Sequence, residues 1–113
     1  MKIIESPITL AELDVLAKNE FDNFIKAVVD IEKEIMVVDA SLHADEEALL
    51  LEHGSSNKDL WGINLYPALD QANWIEFDSM INLRPSQNNN TRSVDDPLIQ
   101  AKIIAVVEKL IKR

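Results

Sequence analysis

The sequence predicts a single α+β domain in which one antiparallel sheet of four to five strands packs with two or three helices. Apolar residues recur at helical spacing in the N-terminal part of the chain and near its end. Between residues 24 and 83, several segments instead alternate apolar and polar residues, which is typical of strands with one buried face. We assign residues 1–113 to one domain, because 113 residues are too few for two ordinary domains.

The N-terminal part predicts a short strand and then a helix. Residues 2–5 form the strand, and Pro7 separates it from the helix over residues 9–19. Thr9 and Glu12 have the spacing of a capping box, in which each side chain bonds to the backbone of the other residue. The apolar positions that follow have helical spacing: Leu10, Leu13, Leu16 and Ala17.

Residues 24–40 predict strand structure, because they are rich in Val and Ile and alternate with a period of two. The alternation is interrupted at residues 32–34 and then resumes. Two strands joined by a turn and one kinked strand both fit this pattern. We prefer two strands, although neither Gly nor Asn marks a tight turn there.

The middle of the chain predicts a second helix and a further strand. Acidic residues crowd the first turn of a helix over residues 44–53, and Gly54 is suited to end it. A strand over the same residues is the alternative that the sequence leaves open. A strand over residues 60–66 then places Trp61, Ile63 and Leu65 on one face.

A last strand is predicted over residues 74–83. Residues 67–73 are short enough to join it to the preceding strand as an antiparallel hairpin. Its apolar face consists of Ile75, Phe77, Ile81 and Leu83.

The C-terminal helix is the clearest element in the sequence. Asp96 is a typical N-cap residue, Pro97 suits the first helical position, and the apolar stripe continues to about Lys112. A stripe this wide predicts core packing, with a spare edge for a homodimer. An exposed side of Trp61 or Trp74 would then anchor the dimer.

The composition excludes several classes of function. The net charge of −9 disfavours binding to nucleic acid and favours either simple solubility, a basic protein partner or a divalent cation. With no cysteine there is no disulfide and no thiolate site, which fits a reducing cytoplasm. No apolar run approaches the roughly 20 residues of a membrane span, and the N-terminus lacks the apolar region of a secretory signal. With two glycines there is no glycine-rich phosphate loop, and no cofactor is indicated.

The first candidate site is a metal site formed by His43, Glu46 and Glu47. If the helix begins at His43, these residues lie at i, i+3 and i+4 and share one face. Imidazole and carboxylate groups are common ligands of divalent metals. The alternative is an exposed helix start whose acids complement the helix dipole.

The second candidate site is the polar face of the sheet. Asn64 and Tyr66 alternate outward on one strand, and Glu76, Asp78 and Asn82 do so on the next. Antiparallel pairing places these groups on one surface, where carboxylates hold a cation or exchange protons. The alternative is an ordinary solvated face.

The third candidate site is the loop over residues 84–92. Arg84 and Arg92 flank a run of polar side chains that includes Gln87, and such a loop suits an anionic ligand. Asp95 and Asp96 repel anions at the same place, so the alternative is that the arginines pair with Glu76 or Asp78.

Three stretches resemble a known family: LHADEEALLLEHGS (42–55), DLWGINLYP (59–67) and IEFDSMINLRPSQNN (75–89), followed by Asp-Pro and the closing helix. They are similar to small, uncharacterised bacterial proteins, frequent in cyanobacteria, that are known as a domain of unknown function. The resemblance covers nearly the whole chain and implies a complete protein. It implies no activity, cofactor or site residue.

These observations predict a small acidic cytoplasmic protein that acts as a non-enzymatic interaction module, with a homodimer or a basic protein as its partner. The alternative is an enzyme that depends on a small ligand or a metal. Such an enzyme would use the acids of the sheet face and the arginines of the loop.

Overall fold

A five-stranded antiparallel sheet forms the centre of the protein in a computed structural model that describes residues 1–18 and 23–113. The strands are β1 (Lys2–Ile4), β2 (Ile8–Thr9), β3 (Ile25–Asp30), β4 (Ile35–Val38), β5 (Leu60–Leu65), β6 (Ile75–Glu76) and β7 (Ile111–Lys112). The helices are α1 (Leu10–Lys18), α2 (His43–Glu52) and α3 (Pro97–Leu110). The sheet has the order β1-β4-β3-β5-β6, while β2 and β7 form a separate parallel pair. The predicted α+β class is confirmed.

Strands β3 and β4 form a hairpin, which confirms two strands rather than one kinked strand. Asp30 holds the turn, because its Oδ1 accepts hydrogen bonds of 2.9 Å from the N–H groups of Glu32 and Lys33. Glu34 adopts the left-handed conformation with φ of 57°. The turn therefore forms without Gly or Asn because the Asp30 carboxylate bonds its backbone.

The two faces of the sheet carry cores of different size. Helices α1 and α3 cover the larger core, to which β5 contributes Trp61 and Ile63. Helix α2 covers the opposite face, where Leu50 packs against Val28 and Val37. Alternate residues of each central strand therefore face different helices.

The apolar stripe of α3 lies in the larger core, as its spacing predicted. Asp96 caps the helix by accepting a 2.9 Å bond from the N–H of Leu98. The helix ends at Leu110, and the next two residues form β7 rather than a last helical turn. Trp61 and Trp74 are 1% and 2% exposed, so the predicted exposed tryptophan anchor for a homodimer is wrong.

The prediction of a strand over residues 74–83 is wrong beyond Glu76, where β6 ends. The chain turns there because Ser79 caps a 3-10 turn, Met80–Asn82, by accepting a bond from the N–H of Ile81. Phe77 packs against the larger core and Ile81 against the smaller one, so these residues do not share a face.

Of the helices in the described residues, none combines the length and hydropathy that a membrane crossing requires.

Candidate functional site

Beyond β6, the carboxamide of Asn82 takes the place of a neighbouring strand at the edge of β5. Its Oδ1 accepts a 2.9 Å bond from the N–H of Gly62, and its Nδ2 donates a 3.0 Å bond to the carbonyl of the same residue. Nδ2 also donates to the carbonyl of Arg92 at 3.0 Å. Asn82 is fully buried, so a side chain supplies the pairing that a backbone would otherwise supply.

Arg84 extends this arrangement along the same edge. Its guanidinium donates to the carbonyls of Leu60, Asn57 (2.7 Å) and Ile81 (3.0 Å). It also stacks on the ring of Trp61, with 4.5 Å from Cζ to the ring centroid. Burial lowers the pKa of this guanidinium below its ordinary value.

Gln87 completes the edge by accepting a 3.2 Å bond from Arg84 and donating a 3.1 Å bond to the carbonyl of Lys58. Asn82, Arg84 and Gln87 were predicted as ligand-binding residues. We assign them a structural role because their polar groups bond to the protein itself.

The other three predicted ligand-binding residues, Glu76, Asp78 and Arg92, meet at one cleft of about 390 Å³. The cleft lies between the start of α2, the start of β3 and the β5–β6 pair. Asn64 pairs with Glu76 across β5 and β6, so these two side chains lie on the same face of the sheet. The full wall is Phe24, Lys26, Leu42, His43, Ala44, Asn64, Glu76, Asp78, Ser79, Met80 and Arg92.

The most informative group in this cleft is the carboxamide of Asn64, which is 6% exposed. Its Nδ2 donates to Glu76 Oε1 at 2.8 Å and to the carbonyl of Asp78 at 3.4 Å. Both partners are acceptors, which fixes the orientation of the amide. Its Oδ1 is buried and finds no hydrogen-bond donor among residues 1–18 and 23–113. The cleft therefore contains an acceptor that a bound donor would satisfy.

His43 adds a second acceptor. Its Nε2 lies 2.8 Å from the carbonyl oxygen of Ile63, and a carbonyl only accepts, so Nε2 carries the proton. Burial is the main cause that lowers the pKa of His43, and the charge of Lys26 acts in the same direction. The imidazole is therefore neutral at neutral pH, and Nδ1 keeps a lone pair.

Charged groups surround these two acceptors. Arg92 Nε lies 2.8 Å from Asp78 Oδ1, but the two side chains are 54% and 43% exposed, so the pair is weak. Glu76 Oε1 also accepts a 3.3 Å bond from the hydroxyl of Tyr66. Lys26 Nζ lies 4.8 Å from the centroid of the Phe24 ring.

Apolar side chains line the mouth of the cleft. Leu42 and Met80 are 57% and 62% exposed. Phe24 stacks on Tyr66 with 5.2 Å between the ring centroids. The site therefore combines polar acceptors with an apolar mouth, which is typical of pockets for small molecules.

Comparison with protein families identifies the chain. A family model described as "Protein of unknown function (DUF5674)" matches residues 2–110. The chain belongs to the DUF5674 family. This confirms the resemblance to an uncharacterised family, whose description assigns no activity. No curated protein and no solved structure matches this DUF5674 chain.

The structure does not assemble the predicted metal site of the DUF5674 chain. His43 bonds to Ile63, Glu46 Oε2 accepts a 3.3 Å bond from the N–H of Ala40, and Glu47 Oε2 accepts a 3.1 Å bond from Asn57. Across the described residues, no group of three His, Asp or Glu side chains is arranged to hold a metal ion. Spacing along a helix places side chains on one face but does not make them converge.

Glu46 is fully buried over the sheet, and burial raises its pKa to about 9. Its Oε1 has no partner within the described chain. The carboxyl is therefore protonated and neutral at neutral pH, unlike an exposed acid at a helix start.

The sequence did not predict several of the cleft residues that lie outside β5, β6 and the loop at residues 84–92. Lys26, Leu42 and Met80 were not predicted as site residues. Lys26 carried a usable signal, since it alternates with the buried Ile25 and Ala27 and its strand pairs with Asn64. Leu42 and Met80 carried none, because they lie where α2 begins and where β6 has already ended.

Proposed function

We propose that the protein is a non-catalytic binding module that holds a small polar ligand in the cleft between α2 and the β5–β6 pair. The observation that carries this proposal is the buried, unpartnered Oδ1 of Asn64 on the cleft wall. A buried acceptor without a donor costs roughly 1–3 kcal/mol. A ligand that donates a hydrogen bond to this oxygen recovers that free energy.

The groups on the wall define the chemistry of the ligand. Asn64 Oδ1, His43 Nδ1 and the carboxylate of Glu76 are acceptors, so the ligand carries an amine, amide or hydroxyl donor. Leu42 and Met80 at the mouth favour an apolar portion next to that donor. A cleft of about 390 Å³ lies at the lower end of the range for small-molecule sites. The ligand class is therefore a small molecule with one polar, donor-rich end.

Binding is favoured over catalysis because the histidine and the serine on the cleft wall are not arranged as an activated nucleophile. The N–H of His43 bonds to a backbone carbonyl, and the Ser79 hydroxyl oxygen accepts from the N–H of Ile81. In the part of the chain that the structure describes, no serine or threonine hydroxyl bonds to a histidine. An activated nucleophile needs such an adjacent base.

A thermal-shift screen tests the proposal. The panel contains amino acids, primary amines, amides and polyols, and a ligand of the native protein raises the midpoint of unfolding. We expect hits among compounds with a donor group beside an apolar portion. A panel without any hit contradicts the proposal.

Two exposed apolar residues, Met80 in the cleft and Leu98 outside it, provide a test and a matched control for any ligand that the screen finds. Met80→Ala removes part of the cleft mouth, whereas Leu98→Ala removes a side chain that is 74% exposed on α3. We expect Met80→Ala to weaken binding about threefold or more, at about 0.8 kcal/mol per buried CH₂. Leu98→Ala leaves the affinity unchanged. Equal effects of the two variants contradict the assignment to this cleft.

The homodimer and the bacterial cytoplasmic origin stay proposals. The absence of cysteine from the sequence supports a reducing compartment. The α3 stripe no longer supports the dimer, because it is buried within the chain itself.

A further inference from the structure

The indole N–H of Trp61 is a buried donor without a hydrogen-bond partner in the described part of the chain, and it lies away from the Asn64 cleft. Its side chain is buried, with 1% of the residue exposed, and its Nε1 has no acceptor within the described part of the chain. An indole nitrogen only donates, so it requires an acceptor oxygen. Because buried polar groups are nearly always hydrogen-bonded, this N–H indicates where an outside group binds.

Trp61 forms part of the wall of a second cleft, of about 370 Å³, between the loop at residues 87–89 and the start of α3. Trp61 and Asn64 are three residues apart in β5, so their side chains point to opposite faces of the sheet. The two clefts share no wall residue. This site is therefore independent of the proposed ligand cleft.

Two carboxylates, those of Asp95 and Asp96, line this second cleft and are exposed to solvent. Each bonds only to neighbouring backbone or hydroxyl groups: Asp95 Oδ2 accepts from the N–H of Asn90 at 2.9 Å, and Asp96 caps α3. No lysine or arginine of the described residues forms an ion pair with either of them. Their negative charges are available to a cation.

The buried side chain of Asn89 holds these acids in place. Its Oδ1 accepts a 2.8 Å bond from the N–H of Asp95, and its Nδ2 donates to the carbonyls of Asn82 (2.7 Å) and Ser93 (2.8 Å). Asn89 is 3% exposed. The loop is thus fixed before any partner binds, which lowers the entropic cost of binding.

We propose that this cleft binds a basic peptide segment of a partner protein. A backbone carbonyl of the segment accepts the N–H of Trp61, and a lysine or arginine side chain pairs with Asp95 and Asp96. A peptide supplies both a neutral acceptor and a cation, whereas a polyamine lacks the acceptor and a nucleic acid is repelled. The net charge of −9 speeds the approach of such a partner.

The indole N–H signals of ¹⁵N-labelled protein test this proposal. The chain has two tryptophans, and Trp74→Phe assigns the signal of Trp61. The probes are acetyl-(Lys)₃-amide, acetyl-(Gly)₃-amide and acetyl-(Glu)₃-amide. We expect the lysine peptide to shift the Trp61 signal in a saturable manner and the glutamate peptide to leave it unchanged.

Two charge-neutralising variants separate the cleft from the overall charge. Asp96→Asn removes one charge but keeps a good N-cap for α3. Asp70→Asn removes the same charge at an exposed position outside this cleft. We expect Asp96→Asn to weaken binding of the lysine peptide about threefold and Asp70→Asn to leave it unchanged.

Three outcomes overturn the proposal. The lysine peptide leaves the Trp61 signal in place, the glycine peptide binds as tightly as the lysine peptide, or the two variants weaken binding equally. None of them bears on the small-ligand cleft, which has its own residues.

Discussion

The centre of the sheet and the outer edge of β5 hold their backbones by different means. Strands β3, β4 and β5 pair with each other through regular antiparallel ladders. Along the outer edge of β5, only Asn64 and Leu65 pair with another strand. The rest of that edge is bonded by the side chains of Asn82 and Arg84. The same requirement, that buried backbone groups find partners, is therefore met in two ways.

This difference has a consequence for the function. If β6 continued beyond Glu76 as a regular strand, it would cover the edge of β5 evenly. Instead the chain leaves the sheet at Glu76, crosses Gly62 and returns at Arg92, so that Asp78 and Arg92 stand beside α2. The irregular path of the chain between Glu76 and Arg92 therefore forms one wall of the cleft, and the regular strands β3 and β5 form its base.

The largest expected effect is that of Asn82→Ala, which removes the side chain that pairs the edge. The variant leaves both backbone groups of Gly62 without a partner, and the carbonyl of Arg92 keeps only its 3.0 Å bond from the N–H of Ser79. We expect the free energy of unfolding to fall by about 3 kcal/mol. Urea denaturation measures it, and Asn73→Ala at an exposed turn is the control, with a change within about 0.5 kcal/mol. A loss no larger than that of the control would show that the edge does not depend on Asn82.

Glu46→Gln is expected to stabilise the protein, because the buried Glu46 carboxyl over the centre of the sheet is incompletely hydrogen-bonded. The folded pKa of Glu46 is about 9, against an ordinary value of 4.5, so the native state binds more protons between these limits. The free energy of unfolding of the native protein therefore falls as pH rises from about 4.5 to about 9. We expect Glu46→Gln to abolish this pH dependence. The free energy of unfolding of the variant, relative to that of the native protein, then rises by roughly 2 kcal/mol between pH 5 and pH 7.

Denaturation curves at pH 5, 6, 7 and 8 measure this difference. Glu5→Gln, at an exposed position between β1 and β2, controls for the charge change. A constant difference between Glu46→Gln and the native protein across these pH values contradicts the raised pKa.

Gly62→Ala probes the point where the edge segment crosses the sheet. A Cβ at this position lies 2.5 Å from Ser79 Cβ and 2.6 Å from Ser79 Oγ, so the segment must shift. We expect a loss of about 2 kcal/mol. In a double-mutant cycle, Ser79→Gly restores part of this loss, because it removes both atoms. Strictly additive effects would mean that the two residues do not meet.

Ile63→Val is the smallest change and serves as the reference for the sheet centre. It removes one methylene group from a fully buried side chain but leaves every hydrogen bond in place. We expect a loss of about 1 kcal/mol by the same urea denaturation. If this loss exceeds that of Asn82→Ala, packing at the centre outweighs hydrogen bonding at the edge, and the contrast between the regions fails.

The regular part of the fold could be predicted because short-range rules determine it: alternate residues are buried in strands, and characteristic residues begin and end helices. The α2 helix, the β3–β4 hairpin and the N-cap of α3 follow from local patterns. The path after Glu76 could not be predicted, because residues 74–83 also alternate and nothing local shows that Asn82 bonds to Gly62. In the cleft, Glu76, Asp78 and Arg92 were predicted, whereas Met80 depends on this irregular path and Leu42 on where α2 packs against the sheet.

A crystal structure of the protein with the strongest ligand from the thermal-shift screen tests most directly whether the cleft at Asn64 is a binding site. We expect an N–H or O–H donor of the ligand within about 3.2 Å of Asn64 Oδ1. A ligand bound outside the cleft, with this oxygen still unpartnered, would contradict the proposed function.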